Sequence, residues 1–588
     1  MRPPFRLCEL AGLLAAAGVA AVLLLANPGA DVPWDAEGTQ APLLDAFWYM
    51  ELGAARAEGF DPEPLPLYDP PVWTSLVRVW FSLWGGSLAS AQALGALVGL
   101  TTLLLLWRVV RAGFGPEAAL AAAGALAVLY PWVALARTTL VYGPLACLAL
   151  LAAALWLGAR RARGLPRAAR EAAAWALILG AGAAVRPPVW AALGGLALAS
   201  LARYPRLRPW AVASGSALGA GLLAFVASPE RARFIAWLER QGGFWALTGY
   251  RLRVKLDPDL GLNSVLGGWC GWGVLPTAGG APGYAVLAPW TCLAASLGAL
   301  LLLARRSALR PAARECALLF AGWWGTFVCF LPLFAPPLRP LRHFALLAPP
   351  VAALAGYAVA CWTRSPSPED AAEGTSGKLR RADPLVAGAA LVLGAALWTH
   401  VSCLALGAAP GRAPVLAGEG VLLGAVGWGV ATALRPRRRA ITGWALALAV
   451  FGAGLWRCGR AAAHPTYVGA AARAGAQRFL EADRARLLAG PYAPFVGLGT
   501  GLPRLRGAWI ITRPGFLERT AARLERTGVT HIALDAAQAH SARLVERLAS
   551  RGLRCVLLAR LPLRPPRGEA IAAPLLLYRL EAVPRTPR

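Results

Sequence analysis

Charged side chains are scarce in this 588-residue sequence: Asp, Glu, Lys and Arg make up 15% of it, against about a quarter in an ordinary soluble protein. That shortage excludes a disordered tail or a solvated soluble domain running the length of the chain. Lysine is almost absent, only Lys255 and Lys378 occurring, so the cations are nearly all arginine. Acids are few as well, 30 against 59 basic residues, which leaves a formal charge of +29. A basic excess suits nucleic acid, but no soluble basic domain with a nucleic-acid motif is visible. The ten cysteines form no CxxC pair and no metal-ligand spacing, which excludes a disulfide scaffold and leaves small apolar side chains.

What is abundant is apolar: 57% of the residues, with a positive mean hydropathy. One soluble core cannot hold this, because single cores stop growing near roughly 250–300 residues. The apolar residues come in blocks of about 15–24, and about 20 suffice for a helix to cross a bilayer. The chain reads as a polytopic membrane protein.

The first block, 7–26, follows a basic MRPPFR start and ends at Asn27-Pro28-Gly29. It is read as a first transmembrane helix, with a cleaved signal peptide as the alternative. Further spans are expected at 88–107, 116–132, 139–159, 171–185, 187–202, 210–227, 284–304, 316–337, 344–362, 385–407, 414–434 and 440–456. The fold class expected is therefore an all-α polytopic bundle of about 13 transmembrane helices with a C-terminal extracytoplasmic α/β domain. Orientation follows from arginine. With the N-terminus inside, the inside loops collect Arg108 and Arg111, then Arg160, Arg161, Arg163, Arg167 and Arg170. Arg203, Arg206 and Arg208 follow, and similar groups later, while short outside loops hold single cations or a pair.

Two outside loops are long, 27–87 and 228–283, and a polar Ser/Pro/Gly-rich inside linker spans 363–384. The membrane domain is read as 1–457 and the outside domain as 458–588. In the latter a helix over 467–486 precedes a strand at 508–512, a helix at 515–528 and a strand at 529–535. A helix at 538–550 and strands at 553–561 and 574–580 complete a compact mixed sheet.

Chemistry in such a chain is sought opposite the positive loops. The first outside loop is rich in acids: Asp31, Asp35, Glu37, Asp45, Glu51 and Glu58. A carboxylate there can take a proton from an acceptor or orient it, and it can equally cap a helix in a solvated loop. Asp35 and Glu37 form one candidate pair. Asp45 is the other candidate, with Tyr49 one helical turn beyond it. Arg137, Arg186 and Arg342 stand at outside helix ends, beside His343 in the last case. A guanidinium grips phosphate with two hydrogen bonds, though an arginine there also suits snorkelling to the interface. One histidine makes no metal site.

In order and topology these features resemble the GT-C superfamily of membrane glycosyltransferases, in the branch of the protein O-mannosyltransferases and the lipid A aminoarabinose transferases. The matching segments are Asp35-Ala36-Glu37-Gly38, Asp45 with Tyr49, Tyr68-Asp69-Pro70-Pro71-Val72-Trp73 and Leu83-Trp84-Gly85. Arg111-Ala112-Gly113-Phe114-Gly115, Tyr130-Pro131 with Arg137, Arg186-Pro187-Pro188 and Arg342-His343-Phe344 continue the order. The family's Asp-Glu is split here by Ala36, or, in the other register, its Glu is replaced by Ala46.

The resemblance implies inverting transfer of a sugar from a polyprenyl-phosphate donor to a lipid, glycan or protein acceptor outside a bacterial inner membrane. Asp35, Glu37 or Asp45 would serve as base. Tyr49, Tyr68, Asp69, Arg137, Arg186, Arg342 and His343 would bind substrate. It implies no required cofactor, no nucleotide sugar at the site and no nucleic-acid partner, while carboxylates leave a divalent metal open. Two other classes compete: a transporter or flippase of lipid-linked sugars, against which stand the lack of an evident repeat and the few ionisable residues mid-span, and a non-catalytic envelope assembly protein.

Overall fold

A computed structural model describes residues 3–30, 44–57, 70–138, 141–185, 187–207, 209, 230–241, 288–304, 309–334, 343–363, 436–465, 467–490, 492–498, 502, 516–536, 539–562 and 574–583. The expected spans at 210–227, 385–407 and 414–434, the linker 363–384 beyond Thr363 and the strand at 508–512 lie outside these.

Helices dominate. In chain order they are α1 (Pro3–Leu25), α2 (Leu44–Ala57), α3 (Pro71–Trp84), α4 (Leu88–Phe114), α5 (Pro116–Ala127), α6 (Tyr130–Ala136) and α7 (Tyr142–Ala159). There follow α8 (Leu165–Ala184), α9 (Ala191–Arg203), α10 (Glu230–Arg240), α11 (Pro289–Ala304), α12 (Pro311–Phe334), α13 (Ala348–Thr363) and α14 (Pro436–Ala463). The C-terminal part adds α15 (Val468–Ala482), β1 (Leu488–Ala489), α16 (Ala493–Gly497), α17 (Phe516–Arg526), β2 (His531–Asp535), α18 (Ala539–Ser550), β3 (Leu553–Pro562) and β4 (Pro574–Ala582). Among the described residues, four helices are long and apolar enough to cross a membrane, and five if one bent pair counts as a span.

That bent pair corrects one expectation. The span expected at 116–132 is two helices, α5 and α6, meeting at 62°. Pro131 has no N–H to offer the carbonyl four residues back, so the ladder stops before it. The span expected at 187–202 likewise opens on a short 3-10 turn, Pro187–Trp190, before α9 begins at Ala191. The first long loop is not plain coil either: it contains α2 and α3, and the second contains α10.

The described chain packs as two compact units. The first takes 1–24, 98–135 and 142–460. Its centre is α13, where every residue from Ala348 to Ala360 is buried. Small side chains make that possible: a Cβ on Gly356 would stand 2.5 Å from the Ala122 backbone nitrogen of α5. In an apolar surround, close backbone approach of this kind replaces the hydrophobic drive as the source of helix association.

The second unit takes 25–97, 136–141 and 461–588. Its sheet has the order β1-β2-β4-β3, with β1 parallel to β2 and the other pairs antiparallel. Ile532 pairs with Tyr578 and Leu534 with Leu576. A core of Leu524, Ile532, Leu534, Leu544, Leu548 and Leu576 joins α17 and α18 to the sheet. Burying each such side chain contributes about 1.5–3 kcal/mol. β2 is buried from His531 to Leu534 rather than on alternate residues, as a strand covered on both faces is. The two-residue β1 was not expected, since two residues show no period.

Candidate active site

The acidic first loop is built around α2. Asp45 lies in its first turn and Tyr49 one turn on, so the expected helical spacing is real. The side chain of Asp45 is outside the described residues, as are Asp35, Glu37, Tyr68 and Asp69 altogether. From Tyr49 through Ala54 the helix is buried, and Glu51 is buried with it, at 1% exposure. Carboxylates are almost never fully buried unless paired, so this position is worth testing for function. Sequence reading counted Glu51 among the loop acids without singling it out.

Among the described residues, two elements chiefly hold α2. One is α3, which opens on Pro71 at its first helical position, where a missing N–H costs nothing. Arg56, near the end of α2, donates from Nη1 to Thr74 Oγ1 at 2.5 Å, and that hydroxyl donates to Pro70 O at 3.1 Å. The Pro-Pro motif is thereby tied to the acidic helix. The other is α16 of the C-terminal part, which packs on α2.

Where the acidic loop leaves α1, a second constellation forms. Arg137, just past α6, donates from Nη2 to the carbonyls of Ala26 and Asn27, the latter at 2.9 Å. A cation suits these carbonyls, because a helix C-terminus carries partial negative charge. Arg137 Nε is buried with no hydrogen-bond partner among the described residues. Close approach is again a matter of glycine: a Cβ on Gly95 would meet Ala136 O at 2.4 Å. Asn27 itself turns the chain with φ of 52°, a conformation its short polar side chain tolerates, and donates from Nδ2 to Ala462 O at 2.5 Å.

Sequence reading missed Gln92. Its Oε1 accepts from Gly29 N at 2.6 Å and its Nε2 donates to Ala30 O at 3.0 Å, fixing the first residues of the loop. The available signal was a glutamine within an otherwise apolar run. Among the other expected residues, Arg186 and Arg342 lie outside the described residues. His343 opens the 3-10 turn His343–Leu347 before α13, its side chain likewise undescribed. Among the described residues no three His, Cys, Asp or Glu side chains gather as metal ligands would.

Residues 68–230 match the sequence model of the dolichyl-phosphate-mannose-protein mannosyltransferases. That stretch begins at Tyr68-Asp69-Pro70-Pro71, runs through α3 to α9 and includes the Arg137 turn. The chain resembles the GT-C membrane glycosyltransferases. Solved structures similar to this GT-C-like chain include ArnT from Cupriavidus metallidurans bound to undecaprenyl phosphate, at 16% identity over 98% of either chain with a TM-score of 0.46. Another is the oligosaccharyltransferase AglB from Archaeoglobus fulgidus in complex with an inhibitory peptide and a dolichol-phosphate, at 13% identity over 95% of this chain and 73% of that one, TM-score 0.46. No curated protein matches the sequence. With its apolar helices, the GT-C-like chain is a multi-pass membrane protein.

Proposed function

We propose that the protein is an integral membrane glycosyltransferase that moves a sugar, with inversion, from a polyprenyl-phosphate donor to an extracytoplasmic acceptor. The observation that carries this is the family match over 68–230, which starts at the motif Arg56 and Thr74 tie to the acidic helix and includes Arg137. The acceptor heteroatom attacks the anomeric carbon. The bond from that carbon to the phosphate oxygen breaks, and polyprenyl phosphate leaves with the electron pair. The acceptor's proton passes to a carboxylate, for which Asp35, Glu37 and Asp45 are the candidates. Arg137, Arg186 and Arg342 would offset the charge growing on the leaving phosphate. Tyr49, Tyr68, Asp69 and His343 would contact substrate. The reaction needs no cofactor in this reading, and chelation with EDTA tests whether a divalent metal joins the acids.

The same reading places the N-terminus in the cytoplasm of a bacterium, about 13 helices in its inner membrane and the domain 458–588 outside. The packing of α16 on α2 supports a common side for the tail and the acidic loop. The test uses the full chain in reconstituted membranes with polyprenyl-phosphate sugars and a mixed acceptor extract. Wild type should release free polyprenyl phosphate, and one of Asp35→Asn, Glu37→Gln and Asp45→Asn should abolish release while remaining folded. No release with any donor, from a folded protein, would overturn the reading in favour of transport or binding.

A further inference from the structure

At one face of the first unit the end of α7, the start of α8, the end of α9 and the start of α12 are held together by an internal ion cluster. Arg203, 3% exposed, donates to Glu171 Oε1 at 2.7 Å and to Glu315 Oε2, and lies over the Trp156 ring at 4.2 Å. Arg160 Nε reaches Glu315 Oε1 at 2.9 Å, and Arg167 Nε reaches Glu171 Oε1 at 3.1 Å. Tyr204 donates its hydroxyl to Glu171 Oε2 at 2.6 Å. Glu171 and Glu315 are the only acids in the segments 157–171, 200–210 and 309–315, and both are engaged in the cluster.

Around the cluster Arg161, Arg163, Arg170, Arg206, Arg310 and Arg314 are exposed. None of these segments contains a further carboxylate to compensate them. Beside them two leucines stand in the open, Leu165 at 82% and Leu207 at 48% exposure. Guanidiniums with no carboxylate in their own segments repel one another unless an anion sits among them. Exposed leucines next to them fit a boundary where polar headgroups meet acyl chains.

We propose that this face binds the headgroups of anionic phospholipid. Each phosphodiester would be gripped by guanidiniums in the fork geometry that suits phosphate, with Leu165 and Leu207 entering the acyl boundary. Because Glu171 and the buried Glu315 engage the inner arginines, the outer ones, on the α7–α8 connection and beside the ends of α9 and α12, are left to face outward together. The inference rests on the chain being a multi-pass membrane protein and is independent of sugar transfer.

The experiment incorporates the full chain into phosphatidylcholine nanodiscs with phosphatidylglycerol as the minority lipid, and counts the phosphatidylglycerol retained on the protein by native mass spectrometry. Wild type should be enriched in it over phosphatidylcholine. The variant Arg161→Gln/Arg163→Gln/Arg206→Gln/Arg310→Gln should lose at least about tenfold of that enrichment, since one arginine near an anionic surface is worth about fivefold in partitioning. Arg526→Gln/Arg543→Gln, in the C-terminal part, should keep it. If the fourfold variant fails to fold, Arg161→Gln/Arg163→Gln alone, in the exposed α7–α8 connection, should lose about fivefold or more. Equal retention by wild type and variant, or no preference for phosphatidylglycerol, would overturn the proposal. Displacement of the lipid by inorganic phosphate would overturn it too, and reassign the surface to a soluble phosphate.

Discussion

Arg203 and Arg137 are two guanidiniums taken out of water in opposite ways. Arg203 meets two carboxylates and an indole face, so its charge is cancelled where it stands. Arg137 meets two backbone carbonyls, and its Nε keeps a proton that nothing among the described residues accepts. Carbonyl dipoles hold a cation without neutralising it. The first region is thus closed chemistry that fastens four helix ends. The second sets a guanidinium against backbone carbonyls at the root of the acidic loop, with no carboxylate bound to it among the described residues.

The largest effect that would break this contrast lies at the acids. Replacing the true base among Asp35, Glu37 and Asp45 by its amide should slow release of polyprenyl phosphate by about 10²–10⁴, the usual worth of a general base. Thermal unfolding of the same variant should stay where the wild type unfolds. Full activity in all three amides would leave Glu51 as the next acid to test.

At Arg203 the opposite split is expected. Glu315→Gln leaves Arg160 and Arg203 without their shared partner, and breaking such a buried pair costs about 3–5 kcal/mol. The melting temperature in detergent should fall markedly, while transfer per folded molecule stays unchanged. A selective loss of transfer in a fully stable Glu315→Gln protein would erase the distinction between the two regions.

Arg137 should show both consequences in smaller measure. Arg137→Ala removes charge-assisted bonds of about 1.5–3 kcal/mol from the α1 terminus. It should also raise the donor KM or lower kcat. Arg137→Lys should recover more of the donor affinity than of the stability, because an ammonium keeps the charge without the fork that spans both carbonyls. Equal recovery of both would assign Arg137 to structure alone.

The smallest effect concerns pH in the C-terminal part. His531 Nε2 lies 2.9 Å from Asp483 Oδ2, and Arg579 donates to Oδ1 at 2.7 Å. The hydrogen bond to His531, and then Arg579, hold the Asp483 carboxyl below the usual carboxylate range. A depressed folded-state pKa means stability that is present above the ordinary aspartate value, about 3.9, and lost as pH falls through the lower folded value. Limited proteolysis of the full chain should therefore release the tail more readily at acid pH. Asp483→Asn should flatten that dependence, and an unchanged profile in the variant would show that the tie carries no stability.

Much of this molecule was legible in the sequence, and the misses have definite causes. Among the described residues, apolar runs located most of the helices, because a helix in a bilayer must satisfy its own backbone hydrogen bonds within one continuous segment. The C-terminal helices and the strands β2, β3 and β4 appeared close to where their periodicity put them, while β1 was too short to show one. The bend between α5 and α6 could have been read at Pro131, where composition favoured a single span. Gln92 escapes sequence reading because a polar residue in an apolar run announces a partner without naming it, and Glu315 because it follows Arg314 just before its apolar run.

By itself, then, the sequence determined the membrane class, the approximate positions of the described apolar helices, the order of short motifs and the resemblance they carry, all of them local patterns of hydropathy and spacing. Which arginine would meet carboxylates and which would meet backbone carbonyls was decided only by the tertiary structure. Glu315 lies 112 residues from Arg203, and Ala26 lies 111 from Arg137. Separations of that length are closed by helix packing, and nothing in a local pattern records which helix ends the packing will bring together.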